Sequence, residues 1–362
     1  MVYAFPQPLP WTALAGPLAG AEDALARLDE RLATSPIRDG WVSRTHFADA
    51  CASLWLAGEL VHLEDLVLHD AGMDIRTPTH ELTRAHAVLR ARRRIAAADP
   101  SWATSPGGLA ALCHDKESMD GDGTRPASAI PKEDESEEAA FEDAFTAELA
   151  AVDALLERSQ RVLAGAAPAR EREPLLYDLD WNEGERLSDW RRVLDDTRSL
   201  PPLLAAALTL DAWWAIEALQ HRPWLGPLLV AGVLRARGKA RHHLPCLDLA
   251  LRQVPRERRR ARGQATRWVA FLEAVTSGAE QGLKDHDRWL LARGLMARKL
   301  AGRRKHSKLS ALIDLVLARP LLSAGMISAE LGVTPRAAQD LVAELGLREM
   351  TGRGRYRAWG VL

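Results

Sequence analysis

The sequence is short of several things at once, and each shortage removes a class of protein. Only Cys51, Cys113 and Cys246 represent cysteine in 362 residues, an odd number with no CxxC pair. Neither a disulfide framework nor a thiolate metal site is indicated, and the three read as buried thiols. No apolar run approaches the roughly 20 uninterrupted residues that cross a bilayer. The opening stretch MVYAFPQPLPWTALAG lacks the positive start of a signal peptide. A cytoplasmic chain without a membrane partner is expected. Runs of β-branched residues are scarce and no internal repeat is evident, which argues against a β architecture and a solenoid.

What is present is leucine and alanine at helical spacing. Hydrophobic residues make up 47% of the chain, enough to bury a substantial core. Segments such as 21–32 and 47–68 carry the 3.6-residue period, so a mainly α fold is expected. The net charge of −1 hides a segregation. Residues 1–234 hold 22 Lys+Arg against 38 Asp+Glu, whereas 235–308 hold 20 against 6 and 309–362 hold 6 against 5. Either the acidic and basic blocks neutralise each other or the basic block meets an anionic polymer.

Four regions follow from composition. An N-terminal helical region spans 15–112 and an acidic, disordered insertion 113–138, where Gly, Pro and Ser accompany a dense acidic run. A helical core follows over 139–308, with helices resuming near Ala140. Its buried centre is the apolar stretch LPPLLAAALTLDAWWAIEALQHRPWLGPLLVAGVLRARG. The last region, 309–362, carries the most specific pattern.

In that region residues 326–331 form a short helix, Gly332 supplies a turn, and Thr334 followed by Pro335 gives an N-cap and a first helical position. A second helix runs from Pro335 to about Leu345, where Gly346 ends it. Ile327, Leu331, Val333, Ala338 and Leu341 are the expected buried contacts, with small Ser328 at the close approach. This is a helix-turn-helix pattern. It leaves Thr334, Arg336, Ala337, Gln339 and Asp340 outward, where Arg and Gln suit guanine and adenine edges. The stretch LREMTGRGRYRAWGVL reads as two strands around a Gly-Arg-Gly turn, a wing with Arg353, Arg355 and Arg357 on one face for phosphates. The alternative is a winged helix used only for protein contacts.

With that unit in place, the order of segments before it resembles the Fic family. LARLDERL and HFADACASLWLAGELVHLEDLVLHDAG are similar to its N-terminal helices, where Ser53-Leu54-Trp55-Leu56-Ala57-Gly58 stands in the place of a Ser-x-x-x-Glu-Gly inhibitory motif and lacks the glutamate. Residues 201–235 resemble the family's helix, catalytic loop and following helix. Glu217-Ala218-Leu219 occupies the position of His-Pro-Phe, and Arg222-Pro223-Trp224-Leu225 that of Gly-Asn-Gly-Arg. The resemblance implies a helical Fic-like bundle followed by a small C-terminal winged helix-turn-helix. It also implies no catalytic residue, because Pro223 has no N–H for a phosphate and Leu225 has no charge. The whole chain also resembles bacterial proteins described as a domain of unknown function followed by a helix-turn-helix DNA-binding domain.

The expected function is therefore DNA binding, with double-stranded DNA as partner, a homodimer as the candidate assembly and no cofactor. Two rivals stay open: a Fic-derived transferase with His221 as base and Arg222 on a phosphate, and an interaction module of the antitoxin type. The helix bearing Glu59, His62, Glu64, Asp65, His69 and Asp70 reads as a salt-bridged face rather than a metal site. His242-His243 with Cys246 is equally weak as a metal site, and Trp213, Trp214 and Trp224 read as core. The cluster Arg256, Arg258, Arg259, Arg260 and Arg262 is either a solvated face or an auxiliary phosphate contact.

Overall fold

A computed structural model of the chain describes residues 3–74, 77–113, 181–300, 308–351 and 357–361. The body consists of α1 (Trp11–Ala33), α2 (Arg38–Leu56), α3 (Leu63–Asp70), α4 (His80–Ala97), α5 (Pro106–Cys113), α6 (Glu183–Asp196), α7 (Pro202–Ile216), α8 (Leu225–Ala236), α9 (Leu247–Leu251), α10 (Arg256–Arg259) and α11 (Gln264–Arg298). Three further α-helices, a 3-10 turn at Trp102–Thr104 and three short strands complete the described residues. The architecture is mainly α, as composition and period imply. These helices belong to one compact unit, Met1–Asp115 with Glu183–Leu362. The acidic insertion beyond Cys113 and the resumption near Ala140 lie outside the described residues. Cys113 itself closes α5.

The long helices form because their apolar residues recur on one side. In α1 the buried residues Leu14, Leu18, Ala21, Leu25, Leu28 and Leu32 alternate steps of four and three, a stripe that lies along α11. The two helices approach closely at Gly282, where a Cβ would lie 3.0 Å from Leu28 Cδ2 and 3.1 Å from Trp41 Cζ2. Trp41 Nε1 donates to the Gly282 carbonyl at 3.1 Å. Helix α7 is buried nearly all round, which marks it as the centre of the body. It stops because Glu217 takes a left-handed conformation, φ 51°.

Expectation and structure part at one tryptophan. Trp213 and Trp224 are core residues, but Trp214 is 38% exposed. The helix turns about 100° per residue, so neighbouring indoles cannot both face the same layer. Trp213 packs edge-on against Trp190, with ring centroids 5.3 Å apart, and its Nε1 donates to the Pro223 carbonyl at 3.1 Å.

Two buried polar clusters fix how the helices cross. Arg92 is wholly enclosed and ion-paired with Asp49. It donates through Nε to His46 Nδ1 at 3.3 Å and through Nη2 to the Leu244 carbonyl at 3.3 Å. Burial, then the nearby Arg92 and Arg93 charges, hold His46 well below the ordinary histidine range, so its ring is neutral and can accept. Burial and then the Asp49 carboxylate push Asp248 well up. One carboxylate is left to face one guanidinium, as a buried site requires. The second cluster gathers on Asp211, which accepts from Tyr3 Oη at 2.7 Å, Arg267 Nη2 at 2.9 Å and Trp268 Nε1 at 3.2 Å. It ties the N-terminal segment and α11 to α7.

The charge segregation is partly resolved inside the fold. Lys239 pairs with Glu22, Arg267 with Asp211, and His243 with Asp29 at 3.0 Å, each joining the basic block to the acidic one. On α3 the His–Asp pattern is satisfied within the fold by an ion pair and histidine contacts. His69 meets Asp74 at 2.9 Å, and Asp70 takes both Arg93, at 2.6 Å, and His86, at 3.3 Å. No helix among the described residues is long and apolar enough to cross a membrane.

Asp70 gives a pH signature. Burial raises its carboxyl, but the hydrogen bonds from His86 and Arg93, with the Arg93 and His86 charges, outweigh burial and hold it well below the usual carboxylate range. A depressed folded-state value means that the clamp between α3 and α4 stabilises fully above the unfolded carboxylate value of about 3.9, and that this contribution declines as pH falls below that value towards the lower folded-state one. Asp70→Asn should lower the urea midpoint at about pH 7, and the gap to wild type should narrow progressively as the pH is taken from about 4 towards about 2.5. A gap that does not change with pH would contradict the assignment.

Candidate nucleic-acid interface

The C-terminal unit comprises α12 (Lys308–Ala318), β1 (Leu322–Ser323), α13 (Ala324–Leu331), α14 (Pro335–Leu345), β2 (Arg348–Glu349) and β3 (Ala358–Gly360). Local chemistry sets each boundary of its helix pair. The Ser323 side chain accepts from the Met326 N–H and caps α13. Gly332 ends that helix at φ 62°, ψ 45°, a left-handed conformation that a Cβ would penalise. Thr334 then accepts from the Ala337 N–H at 3.2 Å, with Pro335 at the first position of α14. Gly346 closes α14 at φ 63°. Ser328, at the crossing, donates its hydroxyl to the Val333 carbonyl at 2.5 Å and ties α13 to the turn.

The packing face of α14 differs in part from the expected one. Ala338, Val342 and Leu345 are its buried residues, and Leu341 and Val333 are half-buried. The steps from 338 to 342 to 345 are the helical four and three, so the period held the answer. Choosing Leu341 over Val342 moves the face by about 100°. Ile327 and Leu331 of α13 are buried as expected.

The opposite face of α14 is open. Thr334, Arg336 and Gln339 are exposed together at the start and along the outer side of the helix. Arg336 meets Asp340 at 3.7 Å, with its side chain 84% exposed. So exposed a pair is worth little, and the guanidinium can leave it for a ligand.

Beside the helices lies a three-stranded antiparallel sheet with β3 in the middle. Leu322 pairs with Trp359 on one side of β3, and Glu349 with Trp359 on the other. The third strand, β1, is too short to carry a sequence period. Arg353 and Arg355 lie outside the described residues. Arg357 is exposed, but Glu349 accepts from its Nε at 2.9 Å and meets its Nη2 at 2.8 Å, and its guanidinium lies 5.5 Å from the Trp359 ring centre. It must leave Glu349 to reach a phosphate.

The unit is seated on the body by one arginine. Arg44 of α2 donates through Nη1 to the carbonyls of Val316, at 3.0 Å, and Arg319, at 3.2 Å, where α12 ends. Its Nη2 donates to the Val361 carbonyl at 2.7 Å, just after β3. The same guanidinium lies 4.6 Å from the centre of the Trp289 ring on α11. Burial, and then the nearby Arg288 charge, lower it to about 10, so it remains charged at neutral pH. A second tie is Lys299 Nζ, which donates to the Leu345 carbonyl at the end of α14 at 2.6 Å.

Comparison with known proteins divides the chain at the same place. Residues 175–301 match the family described as "Protein of unknown function (DUF1612)". Residues 309–362 match the family described as "HTH DNA binding domain". The chain is also 51% identical over 370 residues, covering 97% of both sequences, to "Uncharacterized protein y4cF" of Sinorhizobium fredii (strain NBRC 101917 / NGR234).

If Arg44 seats the terminal unit, Arg44→Ala leaves buried carbonyls without donors and should lower unfolding stability by about 2–4 kcal/mol. Arg44→Lys, a point charge without the fork, should recover only part of the loss. Amide hydrogen exchange checks the location: α12 should lose more protection than α1 in both variants. Equal loss throughout the chain would mean that Arg44 is ordinary core.

Proposed function

The chain belongs to the same family as that rhizobial protein, and on this premise we propose that it is a double-stranded DNA-binding regulator whose reading element is α14. One observation carries the proposal. The helix that follows the turn of a helix-turn-helix presents Thr334, Arg336 and Gln339 on its solvent side, while its own apolar face is spent on α13 and α12. Arg336 and Gln339 have the reach and donor geometry to read purine edges in a major groove, and Thr334 at the helix start suits a phosphate. The three-stranded sheet acts as the wing, and Arg353 and Arg355, between β2 and β3 in the sequence, meet the backbone of the duplex.

The helical body serves as a scaffold without nucleotidyl-transfer activity. The helix, loop and helix over 202–236 stand where a Fic-like core would have its catalytic loop, and Arg222 in that loop donates to the Leu112 carbonyl at 3.0 Å. Pro223 supplies its carbonyl to Trp213 and has no N–H for a phosphate. Incubation with labelled ATP tests this reading, and label transfer that His221→Ala abolishes would refute it. Selected DNA sites that prove palindromic, with half-sites about one duplex turn apart, would mark a homodimer.

The reading helix and the wing should separate in a binding series. Arg336→Ala and Gln339→Ala are each expected to cost about 1–3 kcal/mol on a selected duplex and to relax preference at one position. Arg353→Ala with Arg355→Ala should weaken all duplexes alike and reduce the salt slope by about one unit per lost contact. Fluorescence anisotropy across a salt series reads both effects. Wild-type protein that binds no duplex at about 50 mM salt would refute the proposal.

A further inference from the structure

Among the basic residues that take no acidic partner within the described residues, several lie together in one short stretch. Residues 252–262 contain six arginines and one glutamate, Glu257. Arg258 pairs with Glu273 at 2.6 Å. Arg252, Arg256, Arg260 and Arg262 are exposed, and none of them pairs with a carboxylate among the described residues. Burial, followed by the charges of Arg260 and Arg256, lowers Arg259, which reports how closely the guanidiniums crowd one another.

The cluster is also held in place. Trp55, near the end of α2, is 39% exposed. The guanidiniums of Arg252 and Arg259 lie 5.2 Å and 5.8 Å from the centre of its ring. Arg259 in addition donates its Nε to the Val254 carbonyl at 2.9 Å. One arginine is thus fixed at Nε and against an indole, with its terminal nitrogens left over. Guanidiniums stacked on an aromatic face lose less freedom on meeting a phosphate than free ones do.

Its position relative to the terminal unit follows from helix geometry. Trp55 lies eleven residues beyond Arg44 on α2, which is three turns, about 16 Å along the axis and within about 20° of the same side. Arg44 is where the helix-turn-helix unit is seated. One turn of duplex is about 34 Å long, longer than this separation along α2.

We propose that Trp55 and the arginines of 252–262 form a second DNA contact, a phosphate-binding surface for the same duplex that α14 reads. This rests on the DNA-binding reading and adds to it a sequence-independent anchor on the helical body. Its ligand is the sugar–phosphate backbone, because the surface offers several fixed cations and no acceptor array for base edges.

The test compares full-length Arg256→Gln/Arg260→Gln/Arg262→Gln with wild type, on one selected duplex and on one unrelated duplex, across a salt series. Glutamine removes the charge and leaves a shorter polar side chain, and the matching triple lysine variant restores charge. The glutamine variant is expected to bind both duplexes about tenfold or more weakly near 100 mM salt. Its salt slope should be shallower by about two to three units, near 0.9 per lost phosphate contact. The lysine variant should recover most of the slope, and Trp55→Ala should lose part of the affinity that Trp55→Phe keeps. If the glutamine variant matches wild type while Arg336→Ala still weakens the selected duplex, this second surface is refuted and the reading helix stands. If wild type binds neither duplex, both fall.

Discussion

The arrangement depends most on the Arg44 guanidinium. A helix-turn-helix unit of this size can fold on its own apolar seam, but its direction relative to the body must be set by something rigid. Arg44 supplies that rigidity by satisfying three carbonyls from two parts of the terminal unit while its other face rests on Trp289 of α11. Two of those carbonyls end α12, where helices leave acceptors without partners. A cation there also meets the negative end of the helix dipole. With Lys299 on the Leu345 carbonyl, the unit is held at both ends of its packing face. The outward side of α14 is therefore free by construction.

Much of this was legible in the sequence, and the reason is locality. The turn between α13 and α14 is written in Gly332, Thr334 and Pro335, and its end in Gly346. Each acts within a few residues through φ preference or capping. The buried centre of the body was legible from the apolar run over α7 and α8. What could not be read depends on distant partners. Nothing near Arg44 in sequence indicates that it holds residues near 316 and 361, and nothing near Asp49 indicates Arg92. Trp214 and Leu341 were misplaced for a different reason, since an error of one residue on a helix is an error of about 100° in direction.

Charge segregation takes on a meaning once the ion pairs are known. The basic block is neither wholly neutralised nor wholly free. Lys239 and His243 turn inward to Glu22 and Asp29 and tie the segment after α8 to α1, and Arg267 on Asp211 ties α11 to α7. The arginines around Trp55 do not. Net charge alone hides this division, because internal pairing and external binding contribute identically to the sum.

Hydrogen exchange on the full-length protein, with and without a pool of duplex DNA at low salt, tests the central claim most directly. If α14 enters the groove of DNA, protection on binding should gather over 324–345, with a second zone over 252–262, and α1 should be unaffected. Protection confined to the helical body, with α14 exchanging as freely as in the unbound protein, would contradict the account.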